Sequence, residues 1–227
     1  MRDVTDHTRW MVGQEEILNH VFNIAFGIAP DALIERCFLA PLAFSDSGPF
    51  SSFGREVGDR YGWGRLENVT QQDGFFVSQK SLVGVELKIR ATTRPEQIAK
   101  YVALIAWGEA LTRPRNQVWL IFIVPDAADH KHLKSCRLAS TAIDRSYLDV
   151  LARHRPKGRV GRLFEDSPET VAGILDRLQL TFLSWRDLLT TIAGFCEGLD
   201  PAVPGDQTLL RLVAGLRAQI ESQVFMG

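Results

Sequence analysis

Val83-Gly84-Val85-Glu86-Leu87-Lys88-Ile89 is the stretch on which the fold turns. With Leu82 before it, the run is apolar except at Glu86 and Lys88, as expected of a central strand buried on both faces. The two charged residues stand two apart, so on a strand both point to the same face. Burying one charge unpaired is costly, and burying two requires a network of partners. A cleft containing a metal ion would supply that network.

Working outward, the preceding residues provide a second acid. A hairpin with its turn at Gln79-Lys80 pairs residues 73–79 with 80–88 and sets Asp73 opposite Glu86. Directly opposed residues share a face, with Cβ atoms roughly 4.5–5.5 Å apart. Two carboxylates that close repel each other, and a divalent cation between them turns the repulsion into a binding site. Oxygen donors on a rigid sheet suit Mg²⁺ or Mn²⁺, with Asp73 and Glu86 as the metal ligands. Lys88 beside them is able to orient a water or to offset charge on a phosphorane-like transition state. Glu67 is a rival first acid, but the same counting pairs it with residue 92, beyond the strand. The bland alternatives are that Asp73-Gly74 is itself a turn dipeptide, and that Glu86 and Lys88 form the solvated face of an edge strand.

The following helix adds to the pattern. In Arg94-Pro95-Glu96-Gln97-Ile98-Ala99-Lys100-Tyr101, Gln97 and Tyr101 stand four apart on one helical face. The whole stretch, Asp73…Glu86-Leu87-Lys88…Gln97-x-x-x-Tyr101, resembles the PD-(D/E)XK nuclease superfamily. There an acid on one strand precedes an E-x-K strand, and a helix carrying Q-x-x-x-Y follows. The resemblance implies a restriction-endonuclease-like core of αβββαβ type and Mg²⁺-dependent cleavage of phosphodiester bonds. It implies metal ligation by Asp73 and Glu86, and assistance to the attacking water by Lys88. Gln97 and Tyr101 would line the site or touch the DNA backbone. An inward glutamate on the N-terminal helix is also common in the superfamily, a role for Glu16 or its neighbour Glu15, although glutamates at a helix start also suit the helix dipole. The residue before Asp73 is Gln72, where the superfamily pattern has proline.

The remaining chain predicts helices over 9–26 and from Pro30-Asp31, then a long Gly- and Ser-rich loop over 43–64 that could border an active site. One or two short strands fall between Leu66 and Val77. A helix over about 94–112 and a strand over Gln117–Val124 follow. Helices are expected near 139–154, 168–178, 185–198 and 206–224, with a short strand over Leu180–Leu183. Ser167 and Ser184 are expected N-caps. The result is an α/β, three-layer core with a mixed central β-sheet flanked by helices. It forms a single domain over 1–227 with extra C-terminal helices from about 139.

Composition bounds the partners. The 227 residues, 45% hydrophobic and 23% charged, suit one globular domain. With a net charge of −1, any grip on phosphates must come from a local cluster. The candidates are Arg145, Arg153, His154, Arg155, Lys157, Arg159 and Arg162, read either as a DNA-binding wall or as a solvated helix end. Cys37, Cys136 and Cys196 form neither a zinc pattern nor a disulfide framework, and His130-x-His132 reads either as a metal pair or, lacking a third ligand, as part of a polar loop. Trp107, Trp119 and Trp185 are expected in the core. No signal segment or membrane span is legible, which predicts a cytoplasmic protein.

The functional expectation is a metal-dependent nuclease acting on nucleic acid, in particular DNA. The alternatives are an inactive nuclease-fold protein that binds nucleic acid or protein, and an unrelated α/β module with a charged edge strand. The sequence leaves the chain free to act as a homodimer or within a larger complex.

Overall fold

The computed structural model describes residues 17–52, 73–111, 113–128, 131–155 and 157–225. Residues 17–28 are helical (α1), and Asp31–Ile34 (α2) continues as a π-turn over Glu35–Leu39 and a 3₁₀ turn over Ala40–Leu42. Then come β1 (Ser51–Ser52), β2 (Gly74–Val77), β3 (Ser81–Leu87), α3 (Pro95–Leu111) and β4 (Gln117–Val124). The rest comprises α4 (Lys131–Ser135), α5 (Leu148–His154), α6 (Arg159–Asp166), α7 (Pro168–Leu175), β5 (Leu178–Ser184), α8 (Trp185–Cys196) and α9 (Pro204–Ile220). Pro95, Pro168 and Pro204 each open a helix, where a missing N–H costs nothing.

The strands form one mixed sheet in the order β1-β2-β3-β4-β5 among the described residues. β1, β2 and β3 are antiparallel neighbours, whereas β3, β4 and β5 run parallel. The β2–β3 register pairs Gly74 with Val85 and Val77 with Leu82, which is the register of a turn at Gln79-Lys80. Asp73-Gly74 is therefore not the turn; the chain reverses where Ser78 N–H donates to Ser81 O at 2.9 Å. β3 is central rather than an edge, and all seven of its residues are buried. The solvated-edge alternative fails on that ground.

Side-chain alternation splits the core into two apolar layers, one on each face of the sheet. Leu82, Val118, Leu120, Phe122 and Val124 pack with α3, α5, α6 and α7. Val83, Val85, Leu87, Trp119, Ile121 and Ile123 pack with α1, α2, α8 and α9. This is helix–sheet–helix layering. Trp119 and Trp185 are buried and Trp107 is half-buried against the first layer. No helix among the described residues is long and apolar enough to cross a membrane.

Several expectations need correction. Residues 139–144 are irregular, and the helix expected near 139–154 is confined to a 3₁₀ turn at Arg145–Tyr147 followed by α5. The basic stretch contains an unexpected helix, α6. Ser184 caps α8, accepting from Asp187 N–H at 3.0 Å, whereas Ser167 occupies the N-cap position of α7 without a side-chain hydrogen bond. The described start of the long loop docks at the hairpin turn, where Asp46 accepts from Ser81 Oγ at 2.5 Å and also from Ser78 Oγ. That turn is the end of β3 remote from Glu86.

Candidate functional site

Glu86 lies near the carboxyl end of β3, and Lys88 follows just beyond that strand. The Lys88 backbone N–H donates to Ile123 O at 2.8 Å, so the pairing with β4 continues past Leu87. Asp73 precedes β2, where continuation of the observed register sets it opposite Glu86. Its Oδ2 accepts from Leu87 N–H at 2.7 Å, tying the carboxylate to the neighbouring strand. Asp73, Glu86 and Lys88 are only 3, 4 and 8% exposed. The site sits at the carboxyl ends of the parallel strands, where open α/β sheets bind their ligands.

Glu86 and Lys88 share the sheet face covered by α3, and the first two turns of α3 close the cluster. Lys88 Nζ donates to Glu86 Oε1 at 2.6 Å and to Gln97 Oε1 at 2.9 Å. Gln97 Nε2 donates to Glu86 Oε1 as well. Tyr101 Oη lies 2.8 Å from Glu86 Oε2 and 2.7 Å from Val85 O, a single hydroxyl proton shared between two acceptors. Burial, with the charges of Glu86 and Asp73, holds the Tyr101 phenol well above its ordinary value of 10. It therefore serves as a neutral donor rather than a base.

Gly84 makes this arrangement fit. A Cβ built there would lie 2.9 Å from Tyr101 Cδ1, so the tyrosine ring rests on bare strand backbone. From the opposite layer, Trp185 Nε1 donates to Lys88 O at 2.9 Å.

Two neighbours were not foreseen. His132 does not belong to a polar loop. It is buried on α4, its ring 5.6 Å from that of Phe182 and its Nδ1 3.5 Å from Thr93 Oγ1. Cys136 lies close enough to feel the Lys88 charge, but burial dominates and pushes its thiol up to about 12. Cys37 is likewise pushed up by burial, and the described cysteines are all free. Glu16, Glu15, Glu67 and His130 lie outside the described residues.

Among the described residues no group of three or more His, Cys, Asp or Glu side chains converges as a metal site. The donor set is the two carboxylates. Mg²⁺ keeps several waters and is commonly held by one or two carboxylates, so this set fits it. No protein family, curated protein or solved structure matches the chain.

Proposed function

We propose that the chain is a metal-dependent nuclease that hydrolyses phosphodiester bonds in DNA, built on a restriction-endonuclease-like core. The observation that carries this reading is the ion pair of Glu86 and Lys88 at 2.6 Å, buried in a central strand beside a second buried carboxylate, Asp73. Ionisable groups are buried in such number only where something repays the cost. The order of α1, the antiparallel β1–β2–β3 strands, α3 and the parallel β4 supports the core type.

Asp73 and Glu86 would hold Mg²⁺ or Mn²⁺. When bound, the cation would neutralise charge at the scissile phosphate and promote water as the nucleophile. Lys88 would present its ammonium to the attacking water or to the charge growing on the phosphoryl oxygens. Gln97 aims that ammonium through the 2.9 Å bond to its own carbonyl oxygen. Tyr101 fixes the rotamer of Glu86 and, neutral throughout, takes no proton.

One observation favours a second reading, an inactive nuclease-fold protein that binds nucleic acid or protein. Both Glu86 oxygens already accept protein donors, and Lys88 neutralises the carboxylate directly. The two readings separate on incubation of the chain with supercoiled, linear and single-stranded DNA plus Mg²⁺ or Mn²⁺. Metal-dependent cleavage lowered about 10²-fold in Lys88→Ala is expected. No cleavage of any substrate, or cleavage undiminished in that variant, would overturn the nuclease proposal.

A further inference from the structure

The basic stretch folds into something more definite than a charged loop. The end of α5 and the start of α6 enclose a cleft of about 560 Å³. Its charged lining is Arg153, Arg155, Lys157 and Arg162 against one acid, Glu165. Arg155 is occupied, donating to Glu165 Oε1 at 2.5 Å and to Ala152 O at 2.6 Å. Arg153, Lys157 and Arg162 are exposed and make no ion pair among the described residues. Arg153 is steadied at its Nε, which donates to Asp149 O at 3.1 Å. Arg145, the other cation of known pairing, is taken up by Glu169 and Asp176 outside the cleft.

The backbone adds to the same field. Gly158 is the N-cap of α6 at φ +84°, a left-handed conformation suited to glycine, and it supplies no side-chain cap. The opening turn of α6 therefore contributes positive dipole to a cleft lined by Gly158 and Gly161. In a chain of net charge −1, this is local concentration rather than a general field. Arg153, Lys157 and Arg162 line one cleft without an ion pair among the described residues, which suits a ligand carrying several negative charges.

We infer that this cleft holds the phosphodiester backbone of a nucleic acid. The inference rests on the nucleic-acid reading of the proposed function but not on catalysis. A membrane surface fits less well, because binding there also needs apolar groups to insert. Among the described residues the exposed large hydrophobics, Ile17, Ile24, Ile28, Val203 and Phe225, belong to α1 and the C-terminal segments, whereas α5 and α6 cover the other sheet face. That face is also the one bearing Glu86, and α3 touches both.

The test is fluorescence anisotropy of the full chain with single-stranded and duplex oligonucleotides of unrelated sequence, in EDTA, over a salt series. Simultaneous Arg153→Ala, Lys157→Ala and Arg162→Ala substitution should weaken binding about tenfold or more on every sequence. It should also flatten the log K against log salt plot by about one unit per lost phosphate contact. Glu165→Gln should tighten binding. A folded triple variant with unchanged affinity and slope would overturn the inference, as would an unchanged Glu165→Gln if the triple variant does not fold. Binding to vesicles of anionic phospholipid in place of oligonucleotide would also overturn it. A salt-dependent loss in EDTA without any metal-dependent cleavage would keep the cleft and remove the nuclease reading. Cleavage with unaltered binding in the triple variant would do the reverse.

Discussion

Two buried carboxylates lie at opposite ends of α3, and their company differs. Glu109, near the carboxyl end, receives Arg177 through both oxygens at 2.8 Å, and Arg115 N–H at 2.9 Å. Arg115 Nε in turn donates to Ser78 O at 3.1 Å, and Arg177 Nε to Gly173 O at 3.0 Å. The geometry is a bidentate fork, and it pins α3 to the β2–β3 turn and to the end of α7. Glu86, at the other end, faces one lysine ammonium, two neutral donors and a second carboxylate. The Glu109 cluster meets its carboxylate with an arginine fork, whereas the Glu86 cluster sets two buried carboxylates beside one lysine. The first has the composition of a structural clasp; the second has that of the metal site proposed above.

The contrast can be broken by substitution, beginning with the largest effect. Glu109→Ala removes the bidentate partner of Arg177 and the acceptor of Arg115 N–H, and should cost about 3 kcal/mol in denaturant unfolding, with no recovery on adding Mn²⁺. Lys88→Ala should lower metal-dependent cleavage about 10²-fold, close to 2.7 kcal/mol in barrier. Its loss of stability in metal-free buffer should be recovered by Mn²⁺, which is the point of difference from Glu109→Ala. A Glu109→Ala protein that Mn²⁺ restabilises would erase the distinction.

Smaller effects sharpen it. Tyr101→Phe leaves Glu86 Oε2 and Val85 O short of a donor and should cost about 1–2 kcal/mol. It should also change the alkaline limb of stability. The folded-state pKa of Tyr101 is raised, so its contribution is present below the unfolded value near 10 and is lost as pH rises from there toward the folded value. Denaturation midpoints measured on either side of pH 10 should therefore fall less steeply in the phenylalanine variant. Asp73→Asn relieves repulsion while keeping an acceptor for Leu87 N–H, and should raise metal-free stability by about 1 kcal/mol. A destabilised Asp73→Asn would mean that the two carboxylates are not in conflict.

The Glu86 end was legible because its information is local. Two charges in an apolar strand, a polar turn at Gln79-Lys80 and the four-residue spacing of Gln97 and Tyr101 all lie within one hairpin and one helix. Period-two alternation and register counting reach that far. The Glu109 end was not legible, since Arg177 is 68 residues away and nothing in either local pattern announces the other. His132 failed for the same reason: its burial depends on Phe182, across the fold. The place of Gly84 was not legible either, because it appears only when the Tyr101 ring lies upon the strand backbone. The helix over Arg159–Asp166 was hidden by its own charge, because only Val160, Gly161 and Phe164 are buried, with Leu163 half-buried beside them.

The most direct test of the central claim is calorimetric titration of Mn²⁺ into the wild-type chain, Asp73→Asn and Glu109→Gln. The expected result is one binding event in the wild type, retained in Glu109→Gln and abolished in Asp73→Asn. No binding to the folded wild type, or binding that survives Asp73→Asn, would contradict the account.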